Sequence, residues 1–325
     1  MFRASPWRGT EPSDWQDVFA VYAGGADAPA MLGEYTAGED SLTFTPRFKP
    51  AAGVTLKAVF RPRADAEVKA IFSEAAPAPA ESSTRVAAIY PSASVWPANV
   101  LKFYILFSAP MTIGDAWKRV RFRDAGGAIV EGAFVEIDQE LWDREGRRLT
   151  ILFDPGRIKR GLKDNETEGT PFVTGQSYTL EIDSGWRDAR GAPLIEGATK
   201  TIICGSEARL PVDPGRWKIT PPSTRDERLI VDFPRPLDHA LALRTIHVVR
   251  DGAPVEGGAH LAAGETRWVF APRDAWTPGA YALHVDRTIE DLAGNKLGRL
   301  FDVDTSDPTQ NVTAPPGAVI SFNVV

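Results

Sequence analysis

The chain has 325 residues, of which 43% are hydrophobic and 25% charged, with 28 glycines, 26 prolines and one cysteine. This apolar fraction excludes disorder for most of the chain, and the formal net charge of −6 argues against a nucleic-acid partner, because nucleic-acid binding needs a basic footprint. The single thiol excludes an internal disulfide, and no apolar run approaches the roughly 18 residues that a transmembrane segment needs. We therefore expect two or three globular domains.

Short strand-like runs begin close to the N-terminus. Residues 18–22, 42–46 and 53–60 show the composition and alternation of strands. We recognise no opening strand ahead of them, so the sequence predicts a partial domain over residues 1–73 that leaves either a sheet edge unpaired or a sheet face uncovered. The first seven residues lack the apolar segment of a secretory leader, which predicts no signal peptide in this chain. Residues 74–85 are rich in Ala, Pro and Ser and predict a linker.

Six further strand-like runs follow along the chain. Each is short, rich in aromatic and β-branched residues, and bounded by Gly, Pro or Asp, which is typical of an all-β sandwich with little helix. Cys204 lies in another apolar run and predicts a buried strand thiol rather than a nucleophile, since no histidine is near it in sequence. The six runs are residues 101–107, 148–153, 177–182, 245–249, 267–270 and 280–285.

The middle and C-terminal parts of the chain repeat five landmarks in the same order. We interpret the repeat as a duplication that produces one domain over residues 86–205 and another over 206–304. Residues 305–325 form a tail with a final strand, which either extends the third domain or fills the gap in the first. The paired landmarks are residues 107–111 and 233–237, 130–132 and 255–257, 149–155 and 268–272, 175–182 and 279–285, and 188–194 and 291–297.

These landmarks carry a resemblance to a known class of domain. The F-S-x-P-M strand end, the L-T-x-x-F-x-P strand, the G-x-x-Y-x-L-x-I strand and the D-x-x-G-N-x-L turn resemble bacterial Ig-like domains of the SbsA type, found in surface-layer and other extracytoplasmic proteins. The resemblance covers residues 86–304 and, more faintly, 15–73. It implies tandem immunoglobulin-like β-sandwich domains in the periplasm or at the cell surface. It implies no reaction, because sandwich folds host many functions.

The resemblance favours a non-enzymatic protein without a cofactor, either a structural spacer or an adhesion or binding module for a protein or polysaccharide surface ligand. Arg157, Lys159 and Arg160 belong to an inserted charged loop and are candidate contacts for an acidic polymer or a phosphate. Trp186 and Trp276 flank turns and are candidates for an exposed platform that stacks on sugar rings. The competing interpretation of the charged loop is a solvated loop or an interdomain salt-bridge patch. For the tryptophans it is a place in the core or at a domain junction.

The histidines suggest a different function. All four, His239, His247, His260 and His284, fall within the third repeat. If residues 255–257 form the return strand of a hairpin, His247 and His260 lie diagonally on one sheet face and within reach of a shared divalent metal. The alternative function is then a metal-dependent hydrolase of esters or phosphoesters, with His239 or His284 as a further ligand and a metal-activated water as nucleophile. Four unrelated histidines are the competing interpretation, because the sequence has no H-x-H or H-E-x-x-H spacing.

Two sets of carboxylates complete the candidates. The acidic side chains between residues 136 and 145 alternate with apolar residues, which favours a solvated face over a pair of glycosidase carboxylates. Asp188 and Asp291 begin equivalent turns and are candidate calcium ligands, but neither turn has the dense acidic spacing of a dedicated calcium loop. The first set consists of Glu136, Asp138, Glu140, Asp143 and Glu145.

Overall fold

The computed structural model divides into two units, Met1–Ala80 and Glu81–Val325, which we call the N-terminal and C-terminal units. Its architecture is all-β, and none of the described helices is both long and apolar enough to cross a membrane. The N-terminal unit contains one two-sheet sandwich and the C-terminal unit contains two. The structure describes residues 1–9, 11–23, 29–48, 55–63, 66–73, 81–137, 139–158, 167, 169–302 and 315–325.

The first sandwich packs two three-stranded sheets around a core that includes Phe19, Phe44 and Phe60, after the short helix α1 (Trp15–Val18). Its first sheet has the order β1-β4-β3 and its second β2-β5-β6. The strands are β1 (Phe2–Ala4), β2 (Phe19–Ala23), β3 (Gly33–Ala37), β4 (Leu42–Pro46), β5 (Thr55–Arg63) and β6 (Ala66–Ser73).

The opening strand of the first sandwich was missed by the sequence analysis. It is β1, and it pairs with β4 so that Phe2 lies opposite Phe44 and Ala4 opposite Leu42. A strand of three residues shows no measurable alternation, which is why the pattern overlooked it. The expectation that this domain lacks its opening strand is therefore wrong.

The second sandwich packs a sheet of order β7-β9-β12-β11 against one of order β8-β14-β13-β10. All of its strand pairs are antiparallel except β8 with β14, which run parallel. The short helices α2 (Ala116–Arg119) and α3 (Pro155–Ile158) lie in its connections. The strands are β7 (Val86–Tyr90), β8 (Val95–Pro97), β9 (Lys102–Phe107), β10 (Val120–Arg123), β11 (Leu141–Trp142), β12 (Arg148–Leu152), β13 (Ser177–Ile182) and β14 (Ala198–Gly205).

The third sandwich packs a sheet of order β15-β16-β20-β19 against one of order β18-β17-β21-β22. A 3₁₀ turn (Pro214–Arg216) precedes β15, and helix α4 (His239–Thr245) precedes β17. The strands are β15 (Lys218–Thr220), β16 (Leu229–Asp232), β17 (Ile246–Arg250), β18 (Ala253–Pro254), β19 (Gly257–Ala262), β20 (Arg267–Pro272), β21 (Gly279–Asp286) and β22 (Gly317–Val324).

The duplication is visible in the strand orders. Strands β7, β9, β12 and β11 of the second sandwich correspond in order to β15, β16, β20 and β19 of the third, and β10, β13 and β14 correspond to β17, β21 and β22. The final strand β22 pairs with β21 along its whole length, from Gly317 opposite Asp286 to Val324 opposite Gly279. It therefore extends the third sandwich, which settles the alternative that the sequence left open. The fold is a series of immunoglobulin-like β-sandwiches.

A glycine shared by the first and third sandwiches shows how closely the repeats agree. A Cβ at Gly257 would lie 2.3 Å from the carbonyl oxygen of Ala271 and 2.5 Å from Cζ of Phe270. A Cβ at Gly33 would meet Thr45 and Phe44 at the same two distances, 2.3 and 2.5 Å. Both glycines stand opposite the proline that ends the neighbouring strand. At both positions the carbonyl oxygen and the aromatic ring of the neighbouring strand leave no room for a side chain.

We expect Gly257→Ala to lower the free energy of unfolding of the C-terminal unit by about 1–3 kcal/mol, because the new methyl group forces strands β19 and β20 apart. Gly258→Ala is the matched control, since a Cβ at that position meets no atom within 4 Å, and its effect should stay within about 0.5 kcal/mol. Urea denaturation measures both variants. Equal costs for the two substitutions would contradict the packing argument.

Candidate functional site

The structure does not bring the four histidines together at one site. His247 on β17 lies directly opposite His284 on β21, and both are exposed. His260 is on β19, in the other sheet of the sandwich, so the expectation that His247 and His260 share a sheet face is wrong. The physical reason is the length of β18: the return strand of the β17 hairpin is only two residues long, and the chain then crosses to the opposite sheet. No trio of His, Cys, Asp or Glu arranged to hold a metal occurs among the described residues.

The two candidate tryptophans are buried. Trp186 has 0% and Trp276 1% of its surface exposed, so neither belongs to an exposed stacking platform. Trp186 packs edge-on against Phe107 with ring centroids 5.2 Å apart, and the Nε1 of Trp276 donates to the carbonyl oxygen of Glu227 at 2.7 Å. Both rings belong to the hydrophobic cores of their sandwiches, to which large aromatic side chains contribute much of the buried area.

The basic loop also differs from the expectation. Arg157 is buried, and its guanidinium donates to backbone carbonyls, from Nη1 to Glu131 at 2.9 Å and from Nε to Gly169 at 3.0 Å. It ties α3 to its neighbouring loops instead of facing a ligand. Lys159 and Arg160 lie outside the described residues.

One of the carboxylates predicted to be solvated is structural. Glu140 is 7% exposed and accepts hydrogen bonds from the backbone N–H of Ala116 at 2.7 Å, the backbone N–H of Gly114 at 2.9 Å and Nε1 of Trp142 at 2.7 Å. It satisfies donors at the start of α2, which have no partner inside so short a helix. Glu136 and Glu145 are exposed as expected, and Asp138 lies outside the described residues.

The prediction for Cys204 is confirmed. The thiol is 1% exposed on β14, and burial raises its pKa to about 11. A protonated, buried thiol is a poor nucleophile.

The aspartates of the two equivalent turns bind their own backbone. Oδ1 of Asp188 accepts from the N–H groups of Arg190 at 2.9 Å and Ala192 at 3.0 Å. Oδ1 of Asp291 accepts from Ala293 at 2.9 Å and Asn295 at 3.0 Å. Both carboxylates are 1% exposed. These bonds hold the turn in shape and account for the aspartates without calcium.

What the structure does assemble is a buried polar junction between the second and third sandwiches. At its centre, the hydroxyl of Tyr104 on β9 donates to Asp238, 2.8 Å from Oδ1 and 2.7 Å from Oδ2. Asp238 is 2% exposed and also caps α4 by accepting from the N–H of Leu241 at 2.8 Å. Burial, together with the neighbouring carboxylate, raises the pKa of Tyr104 far above its usual value. The hydroxyl therefore stays a donor.

Two further residues complete the charge balance of this junction. Nζ of Lys102 lies 3.5 Å from Oδ2 of Asp238 and 2.5 Å from Oε2 of Glu290. Lys102 comes from the second sandwich and both carboxylates come from the third. Because all three side chains are largely buried, removing one partner would leave an uncompensated charge.

A second polar cluster lies at the end of β7. The rings of Tyr90 and His239 stack with centroids 3.4 Å apart, and Nδ1 of His239 lies 3.4 Å from Oε1 of Glu265. Oε2 of Glu265 accepts from the N–H of Ser92 at 2.7 Å. Burial raises the pKa of this carboxyl, but the hydrogen bonds from His239 and Ser92 outweigh burial and hold the pKa below its usual range.

Apolar contact joins the sandwiches at the D-L-A-G-N turn. Leu292, from the third sandwich, is 5% exposed and belongs to the hydrophobic core of the second. Its carbonyl oxygen accepts from the N–H of Leu101 at 2.9 Å. Gly294 has a φ of +76°, and a Cβ there would lie 2.7 Å from Cδ2 of Leu101. Glycine is therefore required here for two reasons: it adopts the left-handed backbone conformation of the turn, and it leaves room for Leu101 of the second sandwich.

An open cleft of about 550 Å³ lies beside the junction. Its size is that of a small-molecule site, but its cations are already engaged: Nη1 of Arg209 is 2.6 Å from Oδ2 of Asp302, and Nε of Arg235 is 3.0 Å from Oδ2 of Asp291. The cleft therefore suits apolar contact better than capture of an anion. Its lining includes Val95, Pro97, Ala208, Leu210, Pro236 and Leu292.

The junction could not be predicted from the sequence because the residues that form it are far apart in the chain. Tyr104 and Asp238 are 134 residues apart, and each follows the normal composition of a strand or a helix cap. The one available signal was Asp238 immediately before a short apolar run, which is the pattern of an N-cap. Nothing in that pattern identifies the tyrosine that donates to it.

Comparison with known proteins gives no match to a protein-family model or to a curated protein. The N-terminal part of the bacterial S-layer protein SbsC is similar at 14% identity and a TM-score of 0.26, over 63% of this chain and 40% of that one. Native α-2-macroglobulin from Escherichia coli, spanning domains MG0-NIE-MG1, is similar at 11% identity and a TM-score of 0.26, over 76% of this chain and 72% of that one. The chain thus spans less than half of the S-layer fragment. Its Ig-like fold is assigned from its own strand order.

The junction makes a prediction about pH. A carboxyl whose pKa is lowered on folding adds stability above its unfolded pKa and loses that contribution as the pH falls through its folded pKa. We expect wild type to exceed Glu265→Gln in free energy of unfolding above pH 4.5, the ordinary pKa of a glutamate, and the difference to shrink as the pH falls further. Urea denaturation between pH 7 and pH 3 measures it. Glu256→Gln, at an exposed ion pair with Arg273, should show a difference near zero throughout, and a Glu265→Gln difference that grew between pH 4.5 and pH 3 would contradict the assignment.

Proposed function

We propose that this chain is a non-enzymatic extracytoplasmic protein in which the second and third sandwiches form a rigid spacer that holds binding surfaces for a protein or polysaccharide ligand. The observation that carries the proposal is the junction, where Leu292 of one sandwich fills the core of the other. Flexible tandem domains are joined by exposed linkers with few contacts across the boundary. Here buried charges, a capped helix and an apolar side chain cross the boundary together, which supports fixed geometry as the property that this pair of domains supplies.

The distance between two spin labels on the full chain tests whether the second and third sandwiches are held rigidly. Spin labels at Thr199 on β14 and Val319 on β22, both exposed, report across the junction once Cys204 is replaced by Ala. Labels at His260 and Val319 report within the third sandwich and serve as the control. We expect one distance population across the junction, as narrow as the control. A broad or double population would contradict the spacer.

The absence of catalysis needs its own test. We expect the full chain, purified without chelator or affinity metal, to contain no stoichiometric zinc, manganese or iron and to leave p-nitrophenyl acetate and p-nitrophenyl phosphate unhydrolysed. Stoichiometric metal together with hydrolysis, both lost in a His247→Ala, His284→Ala double variant, would overturn the non-enzymatic part of the proposal.

A further inference from the structure

An open cavity of about 280 Å³ lies at the side of the third sandwich, where the chain crosses from β18 to β19. Strand β17 and helix α4 line it from one side, and β19 and β20 line it from the other. A gap of this size is unusual, because packed domains leave few voids larger than a water molecule. The lining includes Leu243, Ile246, Val248, Val255, Ala259 and Phe270.

One backbone hydrogen bond identifies the same position in all three sandwiches. Four residues after its donor, the chain stands opposite a phenylalanine of the neighbouring strand. The donor N–H and the acceptor carbonyl oxygen belong to Met31 and Val21 at 2.7 Å, to Val130 and Phe122 at 2.9 Å, and to Val255 and Val248 at 2.8 Å. The residues four positions on, each with its opposite phenylalanine, are Tyr35 and Phe44, Phe134 and Phe153, and Ala259 and Phe270.

An aromatic ring fills this position in two of the three sandwiches. The ring centroid of Tyr35 lies 4.9 Å from that of Phe44, and the ring centroid of Phe134 lies 5.3 Å from that of Phe153. The third sandwich has Ala259 at the same position, and Ala259 lines the cavity. The space that holds a ring in the other two sandwiches is therefore open here.

Two further differences from the second sandwich enlarge the opening. The ring of Phe122 lies 5.9 Å from that of Phe134, and the third sandwich has the smaller Val248 in place of Phe122. The second sandwich also packs Ile158 of α3 into its core, whereas residues 273–276 form no helix. The duplicate thus fills the corresponding space with aromatic rings, which indicates a ring as the occupant of the cavity.

The wall of the cavity also contains an unsatisfied hydrogen-bond donor. Trp268 lines the cavity and is 1% exposed. Its Nε1 has no hydrogen-bond partner in the part of the chain that the structure describes. Buried donors without a partner are rare in native proteins. The polar groups of this wall, like its apolar groups, are therefore incompletely packed.

The first sandwich shows where a hydroxyl group on the ring would bind. The hydroxyl of Tyr35 donates to the carbonyl oxygen of Phe19 at 2.8 Å. Phe19 follows α1 and begins β2, as Ile246 follows α4 and begins β17. The carbonyl groups of Ile246 and Val248 face the same edge of β17, since backbone groups alternate along a strand. The carbonyl oxygen of Ile246 is thus the equivalent acceptor.

We propose that this cavity binds a small molecule with a single phenolic ring. The ring packs against Phe270, and its hydroxyl donates to the carbonyl oxygen of Ile246. Strand β19 already occupies the position from which the main chain supplies the ring in the other sandwiches, which favours a free molecule over the side chain of a partner. The cavity is large enough, because an apolar cavity of about 150 Å³ binds benzene. The proposal goes beyond the spacer function and does not rest on it.

The probe is p-cresol, which is the tyrosine side chain as a free molecule, titrated into the full chain by calorimetry. We expect one site with a dissociation constant of about 0.1–1 mM, a range open to so small a ligand. 4-Methylanisole has the same ring without a donor hydrogen and should bind about 2–10-fold more weakly, the usual worth of a neutral hydrogen bond. Equal affinity for the two ligands would overturn the assignment to a phenol.

Two variants that fill the cavity test its location. Ala259→Phe reproduces Phe134, and Val248→Phe reproduces Phe122 from the opposite sheet; each should weaken p-cresol binding at least about tenfold. Ala280→Phe adds the same ring at an exposed position of β21 and should leave the affinity unchanged. Cooperative urea unfolding shows that each variant is folded.

Three outcomes would overturn the proposal. The first is no binding of p-cresol to the full chain, and the second is unchanged affinity in the folded Ala259→Phe and Val248→Phe variants. The third uses N-acetyl-tyrosinamide, which carries the same ring on a peptide backbone. Tighter binding of this compound than of p-cresol would assign the ring to a tyrosine of a polypeptide and overturn the assignment to a free small molecule.

Discussion

Replacing Leu292 with alanine is expected to lower the free energy of unfolding of the C-terminal unit by about 2–5 kcal/mol, the usual cost of deleting a buried leucine. The cavity would open in the core of the second sandwich although the residue belongs to the third. We therefore expect the substitution to broaden the distance distribution across the junction as well as to destabilise the unit. Urea denaturation measures the first effect and the spin-label pair at Thr199 and Val319 the second.

Leu297→Ala separates these two effects. Leu297 is 3% exposed and belongs to the core of its own sandwich, so its deletion should cost a similar amount of free energy and leave the interdomain distance narrow. If Leu292→Ala destabilised the unit without broadening the distance, the junction would not depend on this side chain.

The second large effect is expected at Asp238. Asp238→Ala removes the acceptor of Tyr104, the cap of α4 and one partner of Lys102 at once. Breaking a buried charged pair in this way costs about 3–5 kcal/mol, measured as the loss in free energy of unfolding of the full chain. Tyr104→Phe removes the hydroxyl alone and should cost about 1.5–3 kcal/mol, the range of a hydrogen bond to a charged group.

A double-mutant cycle tests the link between the two residues. Because Tyr104 and Asp238 bond directly, the double variant should lose less stability than the sum of the single variants. Asp213→Ala is the comparison for the loss of a cap alone. It removes the exposed hydrogen bond from the N–H of Gly215 to Oδ1 at 3.0 Å, and should lower the free energy of unfolding by about 0.5–2 kcal/mol. Additive costs for Tyr104→Phe and Asp238→Ala would contradict a shared buried bond.

The fold could be predicted from the sequence because the same landmarks occur twice in the same order, so a strand that is ambiguous in one copy is supported by its equivalent in the other. The landmark prolines recur in order and end or closely follow strands in the structure, and the aspartate turns follow β13 and β21. Cys204 was predicted correctly for a similar reason, since its apolar neighbours indicate a buried strand whatever the topology. The three-residue strand β1 was missed because nothing so short carries a periodic signal.

The site residues were harder to predict because their environments depend on contacts between distant segments. The histidine pairing failed at the two-residue strand β18, where a local hairpin rule gives no warning that the chain changes sheet. Trp186, Trp276 and Arg157 were candidates for exposed contacts because of their nearness to turns or charges, yet all three side chains are buried. Glu140 was placed among solvated acids, although the start of α2 lacked any other acceptor for its N–H groups.

The position of Leu292 in the chain has a consequence for the order in which the protein is made. The last strand of the second sandwich ends at Gly205, but the side chain that completes its core is supplied by residue 292. A ribosome therefore releases every strand of this domain well before the domain can close. Until the later turn emerges, the nascent second sandwich exposes an apolar gap, and its final packing is tied to synthesis of the domain that follows it.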